Sequence, residues 1–550
     1  MRAMEREFNL LDEPWIRVML PDFTQEELSL TDVLLKAHEI RDLAGELPTQ
    51  DTAVLRLLLA VLHTVFSRCD ENGEDFEIEE PDEALRRWGA LWNEGSFPEI
   101  PVKSYLEEQH DSFWLFDPER PFFQVPGIKG TDYTAAKLNG ALSESNNKTR
   151  LFPPCAGEGK AALSYAEAAR WLLFINGYDD SSGKPTSDNK SSAEQQPAAN
   201  VSKDEKNEKL GTGWLGKIGP VYAVGENLFE TLMLNLAFLK DGQSCWEEGK
   251  PVWEREKPKA GERTEIPLPD NQPELLTLQS RRLLLKREGG AVTGYTLLGG
   301  DFFQRENAFT EQMTAWITNA GSGQSTKYQP KAHDKSRQMW RDFAAFAAQS
   351  EGKKRPGVVD WAAILKDNGH LPDNSLLRLR ITGVQYGDKN SSIADEFSDS
   401  MEFNAGLLTK AGDVWQELAL IEIERCGKVA WIVGILADDL EKASGGGGSV
   451  AGSAREQFYY RLDVPFREWL RSLNPGQGPK AQDECRNAWR SKVKAIAVTL
   501  GKEYMAQAGE AAFIGRTLTT KDGEQRRYSA PEAFNRFISS LNKIYEREGC

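Results

Sequence analysis

From about Asn404 to the C-terminus almost every segment repeats its large apolar residues at steps of three and four, and this periodicity constrains the fold most. Phe458, Leu462, Phe466, Trp469 and Leu473 share one helical face. So do Trp489, Val493, Ile496, Leu500 and Tyr504, and then Phe534, Phe537, Ile538, Leu541 and Ile544. Together with the helix that precedes SGGGGSVAGS, these stripes predict four amphipathic helices that bury their apolar faces against one another as a bundle spanning residues 401–550. The Gly-Ser tract Ser444–Ser453 reads as a flexible connection. Aromatic residues at this spacing read as core.

Residues 1–400 carry a different pattern. PTQDTAVLRLLLAVLHTVFSR places Val54, Leu58, Val61, Leu62, Val65 and Phe66 on one face of a core helix. A short strand is expected over Trp15–Leu20, followed by a helix from about Thr31 behind an SLTD start signal. SYAEAARWLLFINGY and NLFETLMLNLAFL predict two more helices, the second fully buried, whereas FWLFDPERPFFQV is proline-broken and packs irregularly. RRLLLKREGGAVTGYTLL alternates through a Gly-Gly turn, the signature of a β-hairpin. Beyond Leu376 a strand, a polar turn at Gly387–Ser391 and a return strand are expected. A chain of 550 residues exceeds what one core fills, so the expected fold class is α+β. It comprises a large mixed α/β N-terminal domain, 1–400, followed by a C-terminal four-helix bundle, 401–550.

Several function classes are disfavoured. The start MRAMEREFNLLDEPW lacks the apolar run of a signal peptide, and no segment offers the ~18 uncharged apolar residues of a membrane span, so a cytoplasmic protein is expected. The six cysteines never form C-x-x-C, the five histidines form no H-x-x-x-H pair, and His63 reads as a core residue. No metal, cofactor or catalytic residue is therefore expected. The formal charge of -17 argues against a surface that coats nucleic acid, so any such contact must be local or shared with a basic partner.

GTGWLGKIG, Gly211–Gly219, fits G-x-G-x-x-G and approaches a P-loop. Yet Ile218 stands where a P-loop needs a hydroxyl for Mg²⁺, Gly219 and Pro220 follow at once, and the preceding DDSSGKPTSDNKSSAEQQPAANVSKDEKNEKL reads as a flexible loop, not a buried strand. A nucleotide-binding enzyme using Gly211–Lys217 remains the rival from another class. A purely architectural subunit is the third reading.

The opening FNLLDEPWIRV, then PTQDTAVLRLLLAVLH, LNGALSESNNKTRLF, GWLGKIGPVYAVGENLFETLMLNL and EQMTAW together resemble the CasA family, the large subunit of the type I-E CRISPR surveillance complex Cascade. The likeness runs from Phe8 into the C-terminal bundle. It implies a non-catalytic subunit that recognises the protospacer-adjacent motif (PAM) in double-stranded target DNA, helps start unwinding and R-loop formation, and presents the complex to a helicase-nuclease. Its partners would be the CRISPR RNA-bearing backbone and small subunits, with the bundle touching the small subunits and displaced DNA. By the same resemblance, Gly211, Thr212, Gly213 and Trp214 form a glycine loop that enters the PAM minor groove, which is only ~6 Å wide. Trp214 braces this loop or anchors a small core, and Lys217 reaches a phosphate or is solvated. Lys389, Asn390 and Ser391 form the tip of a wedge hairpin; the family's wedge residue is glutamine, one methylene longer than Asn390. Arg305 matches a basic finger, with Lys286 as rival, and Asn146, Asn147 and Lys148 match a mobile loop. Some relatives bind zinc through a cysteine cluster, but this chain has only Cys155 near that region, so no metal is implied.

Overall fold

A computed structural model of the chain describes residues 6–139, 161–181, 211–256, 265–318, 327–348, 352–447, 449–519 and 523–546. The chain divides into two compact units. The first takes Met1–Arg337, Ala348–His370 and Arg378–Ser400, and the second takes Gln338–Ala347, Leu371–Leu377 and Met401–Cys550.

The first unit is built around the helix Pro48–Arg68, which opens with proline at its first position, where a missing N–H costs nothing. The single apolar face expected from the sequence understates its burial: Thr49, Gln50, Thr52, His63 and Thr64 are buried along with the aliphatic residues. It is covered on several sides by the helices Glu99–Glu108, Tyr165–Tyr178, Leu228–Asn235 and Gln272–Leu276. Burial holds the His63 imidazole neutral, its pKa lowered to about 3, and its ring meets Phe238 edge-on at 6.0 Å. The Tyr165–Tyr178 helix begins with a reciprocal capping box between Ser164 and Glu167. The Leu228–Asn235 helix stops before the apolar run does. There the Asn235 side chain accepts from the Ala223 N–H at 2.9 Å and donates to the Ala223 carbonyl at 2.7 Å, tying the helix end to the strand Val221–Val224.

The Gly-Gly hairpin forms from Arg281–Glu288 and Ala291–Gly299, with Gly289 and Gly290 at φ 60° and 82°, as a primed turn requires. A second sheet places the strand Leu376–Tyr386 between Ile393–Asn404 and Val221–Val224. Two hydroxyl contacts seat this sheet on the Pro48–Arg68 helix: Thr49 donates to Glu396 at 2.8 Å, and Thr52 meets Thr382 at 2.8 Å.

Asp51 lies in the first turn of that helix and accepts from the Gly45 N–H at 2.8 Å. Burial, with the Asp42 and Glu46 carboxylates nearby, pushes its pKa up to about 7. The folded carboxyl thus keeps a proton that the unfolded chain has lost, so its contribution is full below about pH 4 and falls as pH rises toward 7. Asp51→Asn keeps the acceptor oxygen and removes the ionisation. It is expected to stabilise the chain by about 2 kcal/mol at pH 8 and to change little at pH 4, as read by urea unfolding.

In the second unit the helix Asp413–Ser444 packs against each of Ala451–Ser472, Pro479–Gln507 and Ala530–Glu546. Phe466 and Trp469 meet Trp489 at 5.3 and 5.1 Å, and Trp340 stacks on Phe466 at 4.1 Å. Two expectations need correction. The Gly-Ser connection is shorter than Ser444–Ser453: Gly445, at φ 110°, ends one helix, and the next already begins at Ala451, its first N–H groups held by Asp438 at 2.8–2.9 Å. The helical run is also interrupted by a hairpin of Arg516–Thr519 and Gln525–Tyr528. Gly515 allows this change of direction because it adopts φ 73° and a side chain there would strike the Tyr528 carbonyl. Among the described residues no helix is long and apolar enough to cross a membrane.

Candidate nucleic-acid interface

The glycine stretch folds as one short turn of helix, Trp214–Lys217, entered through Gly213 and left at Ile218. Gly213 and Gly216 each have a steric reason. A Cβ on Gly213 would overlap the Gly177 carbonyl of the Tyr165–Tyr178 helix, one on Gly216 would overlap the Tyr386 hydroxyl, and the Lys217 side chain borders the space beside Gly211. Thr212, Gly213 and Trp214 are buried, whereas Gly211, Gly216 and Lys217 are half-buried. Trp214 packs against Phe303 with tilted rings at 4.5 Å, and its indole N–H donates to Glu311 at 2.8 Å. Glu311 is itself clasped by the two terminal guanidinium nitrogens of buried Arg56, at 2.8 and 2.9 Å.

The amides a phosphate cradle would need are engaged internally. Gly213 N–H donates to the Asp179 carbonyl at 2.9 Å, Trp214 N–H to the Ser280 hydroxyl at 3.3 Å, and Gly216 N–H to the Gly213 carbonyl at 3.1 Å. A strand, not a helix, follows the turn, at Val221–Val224. Among the described residues no group of three or more His, Cys, Asp or Glu is arranged to hold a metal ion.

The polar hairpin turn places Lys389 and Asn390 in the left-handed region, both at φ 54°, with exposed side chains. Asparagine tolerates this conformation better than lysine does. Ser391 turns its hydroxyl inward onto the Asp388 carbonyl at 2.8 Å. The Tyr386 hydroxyl donates to the Tyr178 carbonyl at 2.7 Å, and burial, with Asp179 nearby, raises its pKa so that it stays a donor.

Glycine turn and hairpin tip are brought together by three residues, Asp179–Ser181. The sequence reading assigned all three to a flexible polar loop, and the structure corrects this: Asp179 and Asp180 are buried. The Asp179 carboxylate accepts from Arg281 at 2.5 Å and the Asp180 carboxylate from Lys137 at 2.7 Å. Ser181 donates from its main chain to the Asn390 carbonyl at 2.8 Å, and from its hydroxyl to the Lys389 and Asn390 carbonyls at 2.9 and 2.8 Å. Arg281 also donates to the Gly211 carbonyl at 2.7 Å. One signal for these residues was present in the sequence: Arg281 and Arg282 open a strand that continues as Leu283, Leu284 and Leu285, and a buried arginine needs a carboxylate.

Arg305 is exposed, two positions beyond the Phe303 that packs on Trp214, and its side chain has no ionic or hydrogen-bond partner among the described residues. Lys286 is paired with Asp132 at 2.6 Å. Asn146, Asn147, Lys148 and Cys155 lie outside the described residues.

The family model for CRISPR-associated protein Cse1 matches residues 9–500. CRISPR-associated protein CasA/Cse1 of Thermus thermophilus is 30% identical over 440 residues, covering 78% of this chain and 77% of the relative. The crystal structure of Thermobifida fusca Cse1 superposes with a TM-score of 0.81 at 31% identity, over 98% of each chain. A chain of a CRISPR RNA-guided surveillance complex shares the fold at a TM-score of 0.64 and 18% identity, over 98% of this chain and 100% of that one. With nearly its whole length matched by one family model and by relatives of that same description, the chain belongs to the CasA/Cse1 family of CRISPR-associated proteins.

Proposed function

We propose that this chain is the non-catalytic large subunit of a type I-E Cascade complex. It recognises the PAM in target duplex DNA, starts unwinding, and licenses a helicase-nuclease. The complex assembles in the cytoplasm, without metal or cofactor in this subunit, from CRISPR RNA-bearing backbone and small subunits. The four long helices of the second unit form the bundle that holds those partners. Family membership and the shared fold of a surveillance-complex chain support this assembly. The observation that carries the DNA-reading part is the union of two segments. A glycine turn with a half-buried outer edge at Gly211 and Lys217 is fastened to a hairpin tip whose Lys389 and Asn390 side chains reach into solvent. Arg305, exposed on the adjoining segment, serves as the basic finger into the minor groove, and the Asn146–Lys148 loop adds a further contact.

In the reconstituted complex, Asn390→Ala is expected to slow opening of a PAM-bearing duplex by about tenfold, because an inserted side chain offsets part of the cost of separating a base step. Asn390→Gln should open DNA at least as fast as wild type. Fluorescence of 2-aminopurine beside the PAM reads both, with a scrambled-PAM duplex as reference.

Burial of Thr212, Gly213 and Trp214 favours a second reading, in which the glycine turn is structural and the subunit architectural. Unchanged PAM discrimination in both Lys217→Ala and Asn390→Ala would favour it.

A further inference from the structure

We infer that Asp179–Ser181 is a coupling element through which occupation of the glycine turn biases the hairpin tip, with Arg281 and Lys137 as its positioning residues. The inference rests on the reading of the glycine turn and hairpin as DNA-contacting segments, and extends it to how the two communicate.

The segment is short, and each of its residues makes more than one hydrogen bond. Its start is fixed by the end of the Tyr165–Tyr178 helix, where the Asp179 N–H donates to the Ile175 carbonyl at 3.1 Å. Arg281 then donates to three acceptors from two stretches of chain: the Asp179 carboxylate at 2.5 Å, the Asp180 carbonyl at 3.2 Å and the Gly211 carbonyl at 2.7 Å. One planar guanidinium thus holds the glycine turn and the segment in fixed relation, a geometry that a lysine cannot reproduce. On the far side Ser181 holds the tip through carbonyl oxygens only. That leaves the Lys389 and Asn390 side chains outside the contact, exposed and available.

Steric contacts close the loop of constraints. Gly213 sits against the Gly177 backbone, Gly216 sits against Tyr386, and Tyr386 donates to Tyr178. A shift of the glycine turn must therefore move either the end of the Tyr165–Tyr178 helix or the hairpin strand. The helix end is packed and capped, while the tip is a solvent-exposed turn, so the compliant member is the tip. The same segment carries the ionic tie from Asp180 to Lys137, on the short helix Ala135–Leu138.

The measurement is a double-mutant cycle in the reconstituted complex. Lys217→Ala perturbs the turn, Asn390→Ala perturbs the tip, and the opening rate of a PAM duplex is read by 2-aminopurine. The combined variant is expected to depart at least fivefold from the product of the single effects. In a Ser181→Ala background, which removes the hydroxyl ties, the same cycle should become multiplicative within twofold, and Ser181→Thr should restore the departure. Because the Ser181 main-chain bond survives these changes, hydrogen exchange supplies a second readout. PAM DNA should protect residues 211–217 and 386–392 together in wild type, and only 211–217 in Ser181→Ala. A multiplicative cycle in wild type, or a departure and joint protection that persist in Ser181→Ala, overturns the coupling. Wild-type complex that opens PAM and scrambled duplexes alike overturns the DNA-reading function itself, and the coupling with it.

Discussion

Gly213→Ala is expected to destabilise the first unit by about 3 kcal/mol, and Gly213→Asp to prevent its folding. The cause is packing against the chain's own backbone. A methyl group at residue 213 meets the Gly177 carbonyl, an atom of a capped helix that cannot rotate away, so the cost lies at the upper end of the range for an overfilled core. Aspartate adds a carboxylate at a buried position where even a methyl group has no room. Thermal unfolding and soluble yield of the isolated chain check both variants. If Gly213→Ala melts with wild type and loses only PAM discrimination, the turn faces DNA at Gly213, and the burial argument is wrong. The practical result is that this glycine is a poor probe of DNA reading, whereas Lys217 and Asn390 are informative ones.

The second large effect concerns Arg56 and Glu311. Glu311→Ala leaves the Arg56 guanidinium buried beneath the glycine turn without its carboxylate, and Trp214 without an acceptor for its indole. Removing one partner of such a pair costs about 3–5 kcal/mol, far more than the pair contributes as a whole. The double variant Arg56→Met, Glu311→Leu keeps the volume and removes both charges, so it should recover more than half of the loss. Urea unfolding of the three proteins decides the matter. Equal stability of Glu311→Ala and the double variant would mean that the penalty comes from Trp214 or from lost packing, not from the stranded cation.

What could be read from the sequence divides along a physical line. Signals that act within one turn were legible. Ser29 and Asp32 start a helix, Gly289-Gly290 turns a hairpin, and the polar run after Tyr386 turns a second. Features that depend on a partner far along the chain were not. Asp179 and Asp180 look like the beginning of a polar loop because their cations, Arg281 and Lys137, lie 102 residues later and 43 residues earlier. The glycines of GTGWLG suggested access for a ligand, yet two of them answer to Gly177 and Tyr386. The hairpin at Arg516–Tyr528 escaped notice because its four-residue strands are too short to contradict the helical period around them. Family resemblance carried the assignment of the chain where local physics stopped.

The helix Pro48–Arg68 also sets a schedule for synthesis. Its apolar and polar faces are both covered by segments that leave the ribosome later, the last of them the strand ending at Asn404, roughly 340 residues behind it. At ~5–20 residues per second, that delay is about 17–70 s. Throughout it, this long and largely buried helix waits for its cover, so a nascent chain of this length is a natural client for a holding chaperone.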